Sequence, residues 1–356
     1  MADPAQLRWE LADAPHAQGD LFNDPIFERE PGRGEFRGME FLHVRARRVI
    51  NEIKGPERLP FRFTINPYRG CSHACTYCFA RPSHAWLDLN IAEDFDRRIV
   101  VKVNAVERLR AELRPRQWAG DPIALGTNTD PYQRCEGKYR LTRGIVETLV
   151  EMENPFSILT KSTLIRRDID LLKLAAARGQ VHVNLSVGTL DEAVWRATEP
   201  GTPHPRQRLR LVEQLNEAGV PCGVLVGPVI PGLSDRPEQL DEVARASVAA
   251  GAQSVSTVLL HLRPGVKEHF LGTLAADFPD LLADYKRLYR GAYAPSGERQ
   301  RAVDTVAASV RAAGGPTKGS FTLDAEAMDV DGAAPVTVRR RSPRTKQSGG
   351  EQLSLL

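Results

Sequence analysis

Between residues 61 and 261 the chain alternates short apolar runs with segments of helical periodicity. The runs lie at 61–66 (FRFTIN), 99–103 (IVVKV), 122–126 (PIALG), 156–160 (FSILT), 181–187 (VHVNLSV), 220–229 and 254–261 (SVSTVLLH). Their β-branched content and length read as strands. Helical spacing fits 104–113, 142–152, 168–178, 205–218 and 237–250. Over 205–218, Leu209, Val212 and Leu215 share one face. Gly219 and Gly251 follow two of these helices, where a left-handed residue commonly ends a helix. About six β/α units in succession predict a parallel sheet with helices outside it. Six are too few for a closed eight-fold barrel. The expected fold is therefore α/β, an open partial (β/α)6 barrel of parallel strands with outer helices. A doubly wound sheet is the alternative that pattern alone does not separate from it.

The flanks read differently. Residues 1–36 are rich in Asp, Pro and Gly without a period and are expected to be disordered. Residues 37–60 form a lead-in, and 41–53 alternate loosely enough for strand. The core with its C-terminal helices spans 61–312. Beyond it, Asp324, Glu326, Asp329 and Asp331 precede Arg339, Arg340, Arg341, Arg344 and Lys346. Segregated charge of this kind predicts a disordered tail over 313–356. Apolar residues make up 42% of the chain, enough for a substantial core, and a net charge of +3 does not by itself point to nucleic acid. No run approaches the roughly 20 apolar residues of a membrane span. The N-terminus lacks a basic stretch followed by an apolar one. The expectation is a cytoplasmic protein with no membrane partner. Thiols stay reduced there, so clustered cysteines suggest metal or catalysis.

Three of the five cysteines fall within eight residues, in NPYRGCSHACTYCFAR over 66–81. Cys71, Cys75 and Cys78 have the spacing C-x3-C-x2-C. Three thiolates on one loop can each hold one iron of a 4Fe–4S cubane, leaving the fourth iron without a protein ligand. That iron could bind a small chelate carrying an amine and a carboxylate. The loop follows the strand at 61–66, and α/β enzymes place chemistry at carboxyl ends of strands. Gly70 would permit the sharp turn. A structural zinc site using His73 or His84 as fourth ligand is the competing reading, although no second knuckle accompanies it.

The motif C-x3-C-x-aromatic-C, with Tyr77 as the aromatic, resembles the signature of the radical S-adenosylmethionine (radical SAM) superfamily. The longer run is similar to its spore photoproduct lyase-like subgroup, also labelled DNA repair photolyase. TDPYQ at 129–133, EPGTP at 199–203 and PVIPGLSD at 228–235 extend the resemblance over residues 60–265. The resemblance implies a 4Fe–4S cluster on Cys71, Cys75 and Cys78. It implies S-adenosylmethionine on the vacant iron and a 5′-deoxyadenosyl radical that takes hydrogen from a substrate. It also implies an electron donor of flavodoxin or ferredoxin type. Tyr77 matches an aromatic that packs near adenine. Thr127 and Thr129 lie where many members carry Gly-Gly-Glu against the methionine amino group, and that motif is absent here. Ser186 and Arg208 match positions that often contact ribose or carboxylate, with Glu199 a further polar candidate. The subgroup label suggests damaged DNA or another nucleic acid as substrate.

Several residues have plainer readings. Arg208 could share a solvated face with Arg206 and Arg210. Asp130 could simply start a turn at Pro131, or line the pocket. Cys135 could donate hydrogen, but buried hydrophobe is the commoner fate of a free cysteine, for Cys222 as well. Lys161 could hold a carboxylate. Arg45, Arg47, Arg48, Lys54 and Arg58 form a basic flank that could meet phosphate. The peptide 352–356 (QLSLL) resembles short peptides that dock bacterial sliding clamps. Two other functions fit the cysteines: an iron–sulfur electron carrier or redox sensor, and a DNA-associated protein with a structural cluster.

Overall fold

The computed structural model describes residues 28–53, 61–114 and 118–316. Its main sheet contains β3 (Ile50–Glu52), β4 (Phe63–Ile65), β7 (Ile123–Leu125), β8 (Phe156–Thr160), β9 (Val181–Ser186), β10 (Cys222–Val229) and β11 (Val255–Leu259). From β4 to β11 every pairing is parallel, and β3 caps the β4 edge antiparallel. The six parallel strands lie in space in their order along the chain. A doubly wound sheet reverses direction at a switch point, and this one does not. Right-handed crossovers that always step the same way put the helices on one face. Among the described strands β4 and β11 do not pair, so the sheet stays open. The expected partial (β/α)6 architecture is the observed one.

The helices between these strands are α2 (Ala105–Glu112), α4 (Leu141–Glu151), α5 (Ile169–Ala177), α7 (Pro205–Glu217) and α8 (Pro237–Ala249), with α1 (Glu93–Arg97), α3 (Glu136–Tyr139) and α6 (Glu192–Thr198) in the longer loops. Three more follow the sheet: α9 (Val266–Asp277), α10 (Leu282–Leu288) and α11 (Ser296–Ala312). In α7, Leu209, Val212 and Leu215 are buried, as their spacing requires, and Gly219 and Gly251 take left-handed φ of 79° and 71°. Alternate strand residues point into the core: Val183 and Leu185 of β9 and Val224 and Val226 of β10 are fully buried, whereas His182 and Asn184 are half-buried.

Two expectations fail in an instructive way. The run 99–103 is a strand, β6 (Arg98–Lys102), but it belongs to a second sheet of order β1-β2-β6-β5. That sheet contains β1 (Glu28–Pro31), β2 (Glu40–Val44) and β5 (Tyr68–Arg69). Ile99 and Val101 pack there with Phe36, Phe41 and Tyr68, because β7 already holds the place beside β4. Residues 28–36, expected within the irregular N-terminal segment, supply the edge strand β1 and a 3-10 turn at Gly34–Phe36. The lead-in over 41–53 likewise breaks into β2 and β3, one in each sheet.

Candidate functional site

The carboxyl ends of the parallel strands open into one cavity enclosing about 960 Å³ of space, its mouth included. Gly126 to Asp130 enter from β7, Thr160 and Lys161 from β8, and Ser186 from β9. Leu225, Pro228, Val258 and Leu260 form an apolar wall from β10 and β11. The cysteine loop closes the cavity, and Cys71, Cys75 and Cys78 all line it.

The loop is held by the protein's own hydrogen bonds. Gly70 has φ of +82°, and a Cβ there would come within 2.9 Å of the Phe95 carbonyl oxygen and of His84. The Cys71 N–H donates to Phe95 O at 2.9 Å. Thr129 Oγ1 and Gln133 Nε2 both donate to Gly70 O, at 2.7 and 2.9 Å, and Gln133 Oε1 accepts the Ser72 N–H at 2.9 Å. From the other side, Gly201 N donates to His73 O and Thr76 N to Thr198 O, each at 3.0 Å. A Cβ on Gly201 would sit 2.2 Å from Ser72 O. The short motifs after the cysteine loop thus have a physical role: 129–133 and 199–203 clamp the loop, and Pro228, the first residue of 228–235, joins the facing wall.

Burial pushes all three thiols up, and the carboxylates of Asp130 and Glu199 add to this at Cys71 and Cys75 respectively. A group that takes them as thiolates must therefore bring positive charge, as iron does. Among the described residues no three His, Cys, Asp or Glu side chains come together closely enough to hold a single metal ion. A cubane needs a wider set, one sulfur for each of three irons. Three sulfurs lining one enclosed cavity suit that group.

The residues expected from sequence divide into two sets. Tyr77, Thr127, Thr129 and Ser186 line the cavity. Glu199 and Arg208 lie behind it. Arg208 is fully buried, so the solvated face shared with Arg206 and Arg210 does not exist. Its guanidinium donates to Glu199 Oε2 at 2.5 Å, Ser186 O at 2.9 Å and Pro203 O at 2.9 Å. The Tyr77 hydroxyl donates to Glu199 Oε1. Burial opposes the charge on Glu199, but Arg208, Lys161 and Tyr77 outweigh it and hold the carboxyl down to about 2.

Lys161 is more central than its sequence suggested. It lines the cavity, donates to Ser186 Oγ at 2.5 Å and Gly227 O at 3.3 Å, and lies 3.3 Å from Glu199 and 5.8 Å from the Tyr77 ring centre. Asp130 does both things foreseen for it: it accepts the Tyr132 N–H in a turn and lines the cavity. Burial raises its carboxyl, yet His73 at 3.3 Å, the Lys161 N–H and the Thr160 hydroxyl bring it below its usual range. His84 is buried against Arg98 O and does not line the cavity. Cys135 packs with Phe41 and Tyr68, and Cys222 lies in the main core; neither reaches the cavity. Gln133 and Arg81 escaped the sequence reading, although both stand inside quoted motifs. Arg45, Arg47 and Arg48 are exposed, whereas Lys54 and Arg58 lie outside the described residues, as does the peptide 352–356.

Residues 65–245, about half the chain, match the family described as the Radical SAM superfamily. A protein of Mycobacterium tuberculosis (strain ATCC 25618 / H37Rv), described as uncharacterized, is 45% identical over 274 residues, covering 77% of this chain and 81% of its own length. An uncharacterized protein of Methanocaldococcus jannaschii is 28% identical over 197 residues, covering 55% of this chain and 70% of its own length. Among solved structures, a spore photoproduct lyase variant with dinucleoside spore photoproduct matches with a TM-score of 0.59 at 16% identity, over 87% of this chain and 94% of that one. The same lyase, complexed with the dinucleoside, gives 0.57 over the same coverage. At that identity the likeness concerns the fold. With the cysteine spacing, the matched span and the parallel sheet in agreement, the chain belongs to the radical SAM superfamily.

Proposed function

We propose that the protein is a radical SAM enzyme that binds a 4Fe–4S cluster through Cys71, Cys75 and Cys78 and acts on damaged DNA or another nucleic acid. The observation that carries this reading is the placement of three cysteines, Cys71 and Cys75 buried and Cys78 half-buried, on one cavity at the strand ends. When bound, the cluster with S-adenosylmethionine supplies reductive C–S cleavage to a 5′-deoxyadenosyl radical that abstracts hydrogen. The chain's part is binding, orientation and exclusion of water. Lys161 and Ser186 offer a charge and a hydroxyl suited to a carboxylate or ribose. Thr127 offers a hydroxyl near the cluster loop for an amino group, while that of Thr129 is engaged with Gly70 O and Gln133 and holds the loop. Tyr77, anchored by Glu199, presents a ring face to a flat adenine. The apolar wall of Leu225, Val258 and Leu260 keeps water from a reactive intermediate.

Support for a nucleic acid substrate comes from the fold shared with a spore photoproduct lyase seen with dinucleoside spore photoproduct. In the same reading the chain works in the cytoplasm with a flavodoxin- or ferredoxin-like electron donor. Among the described residues no helix is long and apolar enough to cross a membrane. The peptide 352–356 docks a sliding clamp in this reading; deleting 351–356 should abolish clamp binding. The deciding experiment is anaerobic reconstitution, reduction, and turnover with lesion-bearing DNA. Formation of 5′-deoxyadenosine together with altered bases supports the proposal. A reducible cluster that never cleaves S-adenosylmethionine favours an electron carrier or a structural cluster instead.

A further inference from the structure

Arg81 stands three residues beyond Cys78 and is completely buried. Every arm of its guanidinium is used. Nε donates to Cys75 O at 3.1 Å, and Nη1 donates to Ile91 O and Ala92 O at 3.1 and 2.8 Å. Nη2 meets Asp96 Oδ1 and Oδ2 at 2.9 and 3.1 Å. The guanidinium carbon lies 5.1 Å from the Phe95 ring centre. Phe95 in turn packs with Cys71, Cys78 and Ala80, and its carbonyl holds the Cys71 N–H. One side chain therefore ties the backbone of one cysteine to the packing around the other two.

The charge is arranged asymmetrically. The Arg81 side chain is 1% exposed, whereas that of Asp96 is 22% exposed. The cation reaches the Cys75 backbone and the Phe95 ring that packs against Cys71 and Cys78, and its compensating carboxylate is the more exposed partner. A buried permanent charge is costly unless its surroundings use it, and lysine could not supply the same fork. Reduction adds one negative charge to a cluster already carrying thiolates, so a nearby buried cation favours the reduced form.

We infer that Arg81 is a positioning residue for the cluster: it fixes the loop at Cys75 and Phe95 and sets a positive field that raises the cluster's reduction potential. This inference rests on the cluster reading above. The test uses the full-length protein, reconstituted anaerobically as wild type, Asp96→Asn, Arg81→Lys and Arg81→Met. It measures iron and sulfide per chain and the midpoint potential by spectroscopic redox titration. Titration at about pH 8 keeps Asp96 ionised in the wild type, since burial pushes its carboxyl up to about 6 despite Arg81. Asp96→Asn should raise the potential and Arg81→Met should lower it, each by about tenfold in the one-electron equilibrium, which is about 59 mV. Arg81→Lys should stay nearer the wild-type potential than Arg81→Met while retaining less iron. Shifts of the same sign, or unchanged potential and iron content in both Asp96→Asn and Arg81→Met, overturn the inference. Should Arg81→Met fail to fold, Asp96→Asn decides alone, and an unchanged or lowered potential rejects the idea. A wild-type protein that takes up no cubane defeats the functional proposal itself, and the inference with it.

Discussion

Glu199 carries its charge in the interior, 4% exposed, between the Arg208 guanidinium, the Lys161 ammonium and the Tyr77 hydroxyl. Unfolded, such a carboxyl takes up a proton near its ordinary 4.5; folded, it resists until about 2. Its contribution is therefore complete above about pH 4.5 and disappears as pH falls toward 2, on the order of 3 kcal/mol. Glu199→Gln should flatten the fall of urea-measured stability between about pH 5 and 3; an unaltered slope would show that the network does not depend on this charge. Arg208→Met should cost more, about 3–5 kcal/mol near neutral pH, because it leaves a buried carboxylate without its main partner. Urea midpoints at constant m would measure it. The resemblance singled out Arg208 and Glu199 as site candidates, but their pairing with each other was not legible in the sequence. Helical phase places Arg208 beside Leu209 and Val212 on the buried face. Only the tertiary fold supplies the carbonyls and the carboxylate that make a buried guanidinium tolerable.

At the scale of elements, the strands and helices of the core were readable because each buries apolar residues at the period of its own geometry, two for a strand and 3.6 for a helix. The segment 156–160 becomes β8 residue for residue, and 205–218 becomes α7 to within one residue. A run does not say which strand it pairs with, and that is why 99–103 went to the second sheet. The site was legible in its three cysteines, while the clamps around them are contacts between segments far apart in the chain. Two glycines expose the difference. Gly201 approaches the cysteine loop so closely that Gly201→Ala would place Cβ against Ser72 O. That variant should keep its far-UV circular dichroism but retain well under half the wild-type iron after reconstitution. Gly272 lies exposed within α9, where a Cβ meets nothing within 4 Å. Gly272→Ala should stabilise by about 0.5–1 kcal/mol, read from the urea midpoint, since alanine loses less backbone entropy in a helix.

For the whole molecule, the question is whether the proposed cluster would build the fold or the fold would wait for it. Small zinc domains are unfolded without metal because little else holds their ligands. Here the main core extends from Val49 to Val310 and embraces β3, β4 and every strand from β7 to β11. The cysteine loop is tied down independently of any metal by Gln133, Thr129, Gly201 and Arg81. The chain stripped of iron should therefore keep a cooperative urea transition with the m-value of the loaded protein, because the surface exposed on unfolding is the same. Anaerobic loading should raise the midpoint through binding to the native state alone. A non-cooperative transition, or a markedly smaller m-value without iron, would mean that the loop and the strand ends around it assemble only on the cluster. In that case the hydrogen bonds that hold the cysteines would follow the metal rather than prepare for it.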